Sequence, residues 1–200
     1  FGKTAYWPYL ALYTEIRGEF IKGWLPYDYY HLMLLPKTNP PNYCHLSEHK
    51  TFDHKLFGEF AVKPLFVYIS GMFYNADFEF VEKSHVIKFM AEYNDIIVVK
   101  KEYGVEGKQV SIIPSSDFVP EKLKDNLNYT IQPFVKQYHV LHELYPGSVN
   151  TFRVTTHLKK DGSVNVKFVF LRFGVDGSKV DNLSSGGQYI FFDASGKHAN

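Results

Sequence analysis

One cysteine, Cys44, occurs in 200 residues, so no internal disulfide framework can hold this chain together and stability has to come from burial and hydrogen bonding. Such sparse cysteine usage fits a reducing, cytoplasmic compartment. Charge of one sign is missing too: 22 Lys and Arg stand against 21 Asp and Glu. A formal net charge of +1 creates no whole-chain field that would steer the protein onto nucleic acid or an anionic membrane. Any anion has to be held by a local site. The longest apolar stretch, Leu65 to Tyr74, is broken by Ser70 and Gly71 and is about half the ~20 residues a membrane-spanning helix needs. No Gly-x-Ser-x-Gly elbow occurs, and from Lys100 to Gly107 the lysine precedes the glycines with no Gly-Lys-Ser/Thr opening a helix, which argues against a Ser–His–Asp hydrolase and against a Walker phosphate loop there. Fixed-period repeats and low-complexity tracts are absent as well. The chain opens on Phe1-Gly2 with no signal-peptide pattern, and reads as a fragment of a longer frame.

What is present is aromatic. An 18% aromatic share within 45% hydrophobic residues implies a well-filled core, with length for one compact domain or two small ones. Pro8, Pro26, Pro36, Pro40 and Pro41 cut any helical period in the first sixty residues into short pieces, so residues 1–60 read as a wrapping segment or lid. The apolar run within 63–70 reads as a buried strand. Asp77 is placed to cap a helix reaching Tyr93, since Phe80, Val81, Ile87 and Met90 fall near one face. Ile96 to Val99 is continuously β-branched, the pattern of a strand buried on both faces. Gln109 to Ile113 reads as its returning strand, 120–126 as a helix, and Tyr129 to Val135 as another strand. Residues 150–159 and 164–172 form a hairpin across Asp161-Gly162, with a last strand at 188–192. Strands, helices and antiparallel hairpins in mixed order make the class α+β.

Chemistry concentrates in three places. Lys100 and Lys101 end the β-branched strand and precede Gly104 and Gly107. Glycines let backbone N–H groups turn toward a polyanion, and a lysine at the end of a rigid strand supplies charge there, although the same residues suit a plain hairpin with solvated lysines. Tyr129 to Gln137 contains Gln132, Phe134, Val135 and Gln137, a strand end able to read a flat apolar ligand edge. Arg153 on one hairpin arm shares a face with Thr151 and Thr155 by alternation, while Phe152 and Val154 should point to the core. Arg172 ends the other arm, before Asp181, Asn182 and Gly186-Gly187. Two forked guanidiniums suit phosphate or carboxylate, and surface ion pairs would use the same residues. Cys44, His45, His49 and His54 cluster without a recognised zinc-finger spacing, so no metal role is expected for them.

Taken in order, these constellations resemble the ATP-grasp fold, and more narrowly the sugar-transfer-associated, TupA-like ATP-grasp proteins of polysaccharide gene clusters. The resemblance runs over most of the chain, from Gly23-Trp24-Leu25-Pro26 and Leu46-Ser47-Glu48-His49-Lys50, through Val99-Lys100, to Asn150-Thr151-Phe152-Arg153, Leu171-Arg172 and Asp181-Asn182 with Gly186-Gly187. It implies two α+β subdomains gripping ATP: a wrapping segment 1–60, a subdomain 61–135 with the phosphate lysine and glycine loop, and the first part of a second subdomain, 136–200. It further implies ATP with Mg²⁺ and ligation of a substrate carboxylate through an acyl phosphate; an ATP-grasp kinase and a noncatalytic nucleotide-binding scaffold are the alternatives. Lys50, Lys100, Gly104, Gly107, Gln132, Phe134, Val135 and Gln137 would bind nucleotide, and Arg153, Arg172 and Asn182 would carry catalysis. The expected partners are a carboxylate-bearing small molecule or glycan and polysaccharide-biosynthesis enzymes, with no nucleic acid. Lys101 replaces a common proline, Val105-Glu106 replaces small residues, and no Glu-x-Asn follows Gly187, so the metal ligands are expected beyond residue 200.

Overall fold

The computed structural model describes residues 6–103, 109–178, 180–183 and 186–198. They build a six-stranded antiparallel sheet and a three-stranded one, joined in sequence by a short helix. The first sheet contains β1 (Phe66–Ile69), β2 (Met72–Tyr74), β3 (Phe80–Val81), β4 (Ile96–Lys101), β5 (Val110–Pro114) and β6 (Tyr129–Pro133). Their order is β3-β2-β1-β6-β4-β5. β1 and β2 close a two-residue hairpin in which Ser70 and Gly71 both have positive φ, 50° and 86°. This is the turn whose twist matches the strands it joins, and it favours glycine at its second central position.

One face of this sheet carries Phe66, Tyr68, Phe73, Ile97, Val99, Tyr129 and Ile131, all buried against Val86 and Met90 of the helix Lys83–Tyr93. Asn94 ends that helix in the left-handed region at φ 48°, a conformation Asn tolerates better than most residues. The helix begins later than Asp77. Asn75 Oδ1 accepts the backbone N–H groups of Asp77 and Glu79, closing a side-chain-capped turn that sends Phe80 and Val81 into a strand instead. Residues 120–126 are likewise no full helix; only Pro120–Lys122 makes a single 3₁₀ turn.

The opposite face carries Val67, Val98, Thr130 and Gln132, also buried. Its cover comes from the N-terminal part of the chain, which is helical in pieces rather than irregular: Pro8–Arg17, 27–38, Pro41–Glu48 and Asp53–Phe57. Pro8 and Pro41 sit at first helical positions, where the missing N–H costs nothing. The segment docks through His54, whose Nε2 lies 2.6 Å from the Ala76 carbonyl, and Lys55, which pairs with Asp77 at 2.7 Å. Phe52 stacks on Phe78 with centroids 4.9 Å apart. β4 is therefore covered on both sides.

The second sheet has the order β7-β8-β9, with β7 (Thr151–Leu158), β8 (Val164–Phe173) and β9 (Gln188–Phe192). A bulge at Thr155/Thr156 shifts the β7–β8 register. Phe168, Phe170 and Phe191 cluster on one face, with Phe170 and Phe191 centroids 5.0 Å apart. Phe152 and Val154 do not enter a core; they are 54% and 50% exposed. β7 is the edge strand, and burial in this sheet centres on β8, where Leu171 is buried.

Candidate functional site

In the β4–β6 ladder Lys100 lies opposite Thr130, and Val98 opposite Gln132. Directly opposed residues share a face, so Lys100, Thr130 and Gln132 project together, away from the helix-covered core. Lys50 and Asp53 approach from the wrapping segment and complete a cavity of about 330 Å³ that Phe57 and Phe60 also line. Lys100 does not face β6 across a cleft; β4 and β6 are hydrogen-bonded neighbours. The lysine reaches the cavity because its position on the pleat matches that of Thr130.

The cavity is electrostatically unbalanced. Burial holds the Lys100 ammonium below the ordinary lysine range, the Lys50 charge pushes the same way, and Asp53 works against both. Asp53 is in turn raised, chiefly by burial, with Lys100, Lys50 and His54 opposing. The buried Thr130 hydroxyl has no hydrogen-bond partner among the described residues, which is costly for a group removed from water. Two cations and an orphaned hydroxyl around one space, against the single carboxylate of Asp53, have the chemistry to suit an oxyanion. Asp53 escaped the sequence reading; its spacing of three from Lys50 was the only local signal.

Lys50 is held by its own partner, donating from Nζ to the Glu102 carbonyl at 2.7 Å. Gly104 and Gly107, the expected phosphate loop, lie outside the described residues. Phe134 continues the ladder, its N–H donating to the Ile96 carbonyl at 3.2 Å, and Val135 beyond it is exposed. Gln137 is spent internally instead of facing a ribose. Its Nε2 donates to the Tyr145 and Ser148 carbonyls, both at 3.0 Å, and its Oε1 accepts the Asn150 N–H at 3.0 Å. With both ends of the amide engaged, it pins the helix His139–Leu144 to the start of β7.

A second polar cluster sits at the β7–β8 pair. Arg172 is opposite Thr151, and its Nε and Nη2 both donate to Thr151 Oγ1, at 3.2 and 2.9 Å. The Thr151 hydroxyl donates to Asp181 Oδ2, which lies 3.4 Å from Arg172 Nη2. Arg172, Thr151 and Asp181 thus close a ring that fixes the guanidinium plane. Arg153 is on the same face of β7, opposite Phe170. The Asn182 carbonyl accepts the Gly187 N–H at 3.0 Å. A Cβ at Gly187 would lie 2.6 Å from the Asp181 carbonyl oxygen, so this approach requires glycine. Sequence reading found the arginines but not the roles of Thr151 and Asp181.

The histidine cluster disperses: His45 bonds Glu48, His49 pairs with Glu102, and His54 meets a carbonyl. Among the described residues no group of three or more His, Cys, Asp or Glu is placed to hold a metal. Asp193 accepts from Ser195 N, Ser195 Oγ and Lys197 N in a turn of its own, so the described residues do not fit a Mg²⁺ platform. A larger cavity of about 670 Å³ lies beside β2 and β3. There Lys83 pairs with Glu121 at 2.5 Å and the Tyr68 hydroxyl donates to Asp125, and the cavity holds none of the residues expected to bind nucleotide. No helix among the described residues is long and apolar enough to cross a membrane.

No curated protein and no solved structure matches the chain. A family match covers β5 through β9, taking in Gln132, Arg153, Arg172 and Asn182 but leaving Lys50 and Lys100 outside it, so the case for the two lysines rests on geometry. Residues 107–200 match the model of the sugar-transfer associated ATP-grasp family.

Proposed function

We propose that the chain is an ATP-dependent carboxylate–amine ligase of glycan biosynthesis, with Lys50 and Lys100 gripping the nucleotide's phosphates. The observation that carries this reading is the cavity in which a half-buried Lys100 and an orphaned Thr130 hydroxyl meet beside Lys50. A phosphate oxygen there would accept from the hydroxyl and offset the repulsion between the ammoniums, two gains that no apolar ligand offers. Gln132 lines the same cavity and has an amide edge to present to the nucleotide.

In the reaction a substrate carboxylate oxygen attacks the γ-phosphorus and ADP departs. An amine then attacks the acyl carbon of the acyl phosphate and expels inorganic phosphate. Positioning and charge neutralisation dominate such a step. Arg172, its plane fixed by Thr151 and Asp181, would face the carboxylate or transferred phosphoryl group, with Arg153 and Asn182 beside it. ATP enters as its Mg²⁺ complex, and this chain's described contribution to neutralisation is the lysines and arginines. The carboxylate belongs to a glycan or a small molecule joined to one, and the supply of ATP places the work in the cytoplasm with other polysaccharide-assembly enzymes.

Product analysis with Mg-ATP, a panel of uronate and amino-acid carboxylates and an amine tests the proposal. ADP, phosphate and an amide are expected together. A phosphorylated hydroxyl without free phosphate would replace the ligase by a kinase, and ATP binding with no turnover would replace it by a scaffold.

A further inference from the structure

Glu102 stands two residues beyond Lys100 and is 2% exposed, deeper than any other carboxylate among the described residues. Its Oε1 accepts from Thr51 Oγ1 at 2.5 Å and lies 3.3 Å from His49 Nδ1, while Oε2 accepts from Asn128 Nδ2 at 2.6 Å. Its backbone is equally occupied: the N–H donates to the Asn128 carbonyl at 2.9 Å and the carbonyl accepts Lys50 Nζ at 2.7 Å. Thr51 is fully buried at this contact.

These bonds tie together three stretches distant in sequence: the wrapping segment at 49–51, the end of β4, and the approach to β6. A buried carboxylate is tolerated only when fully partnered. The wrapping segment therefore cannot lift from β4 without stranding the Glu102 charge. Lys100 is placed by β4 itself; Lys50 is placed by what Glu102 holds. Glu102 does not line the cavity, so it would act on a ligand only through the lysines.

We infer that Glu102 is a positioning residue that clamps the wrapping segment onto β4 and thereby sets the spacing of Lys50 and Lys100 for a polyphosphate, an inference that rests on the nucleotide reading of this cavity. Asp at this place would be one methylene too short to reach Thr51 and Asn128 together. Gln keeps the length but has one acceptor oxygen, so it can accept on one side only and must donate on the other, to a Thr51 hydroxyl turned round to accept, while its N–H groups no longer accept from His49.

The test pairs limited trypsin digestion with ATP-induced thermal stabilisation, using the whole chain. Glu102→Ala should speed cleavage after Lys50 at least about tenfold, since an orphaned buried hydrogen-bonding set favours local opening, and should abolish the ATP-dependent rise in melting temperature. Glu102→Gln should fall between wild type and Glu102→Ala in both readouts. Should Glu102→Ala fail to fold, Thr51→Val removes one donor to the same carboxylate and should move both readouts in the same direction. Unchanged cleavage would overturn the clamp. Faster cleavage with an intact ATP shift would overturn the positioning role. A wild-type protein showing no ATP shift would overturn the nucleotide reading and the positioning role with it, while the digestion still decides whether Glu102 clamps the segment.

Discussion

Lys100 lies directly opposite Thr130 in the β4–β6 ladder, so a cation and a hydroxyl with no partner among the described residues share one wall of a cavity. The depressed Lys100 pKa turns this placement into a stability statement. Between its lowered folded value and the ordinary 10.5, the unfolded chain holds a proton that the folded chain does not. Stability of the ligand-free protein should therefore rise as pH climbs through that window. Lys100→Met should raise the melting temperature at neutral pH, flatten that rise, and remove most of the stabilisation by Mg-ATP. Thermal melts across pH 7 to 10.5, with and without ATP, check all three outcomes.

Tyr68 gives the opposite sign. Burial, then the hydrogen bond to Asp125 and that residue's charge, push its hydroxyl up to about 12. The folded protein holds this proton more tightly than the unfolded chain, so its contribution is complete below pH 10 and is lost as pH rises through about 12. Tyr68→Phe should remove a late-titrating phenol from the ultraviolet titration. A titration in which wild type and Tyr68→Phe coincide above pH 11 would contradict the assignment.

The legible parts of the fold were those fixed by local chemistry. The β-branched run in β4 reads correctly because both its faces are buried, and the β7–β8 hairpin follows from alternation around Asp161-Gly162. Phe80 and Val81 misled because two apolar residues satisfy a helical face as well as a strand, and the Asn75 side chain decides between them. Asp53 and Glu102 carry no motif; their roles arise from contacts that cross the fold. Gln137 stands where a ligand contact is common in the resembling family, yet hydrogen bonds to Tyr145, Ser148 and Asn150 use its amide.

Arg172 and Thr151 set the next expectation. Because Thr151 Oγ1 takes both Nε and Nη2, Thr151→Val frees the guanidinium to rotate while leaving its charge. ATP-dependent turnover should fall roughly 10²-fold, the scale of losing one preorganised donor, with ATP affinity little changed. Thr151→Ser should restore most of the rate. Arg172→Lys should behave like Thr151→Val, since lysine keeps the charge and loses the fork. Parallel losses in affinity and rate would make Arg172 a simple phosphate contact.

Gly187 offers a test that is steric rather than electrostatic. Its added Cβ would come within 2.6 Å of the Asp181 carbonyl oxygen and 2.9 Å of the Asn182 carbonyl oxygen, and both obstacles are backbone, which cannot swing aside like a side chain. Gly187→Ala should therefore displace the strand entry and break the Gly187 N–H bond to Asn182, costing about 1–3 kcal/mol, as overpacking typically does. Asp181 would move with its carbonyl, loosening its hold on Thr151 and Arg172, so turnover should drop even at temperatures where the variant is folded. Gly186 differs: no atom lies within 4 Å of a Cβ there, but its φ is +90°. Gly186→Asn should be tolerated better than Gly186→Val, because Asn enters the positive-φ region more readily than a β-branched residue. Chemical denaturation of the three variants, alongside ATP-dependent turnover at a temperature well below each midpoint, separates the effects. A Gly187→Ala protein of wild-type stability and activity would show that the Asp181–Gly187 approach does not position Arg172.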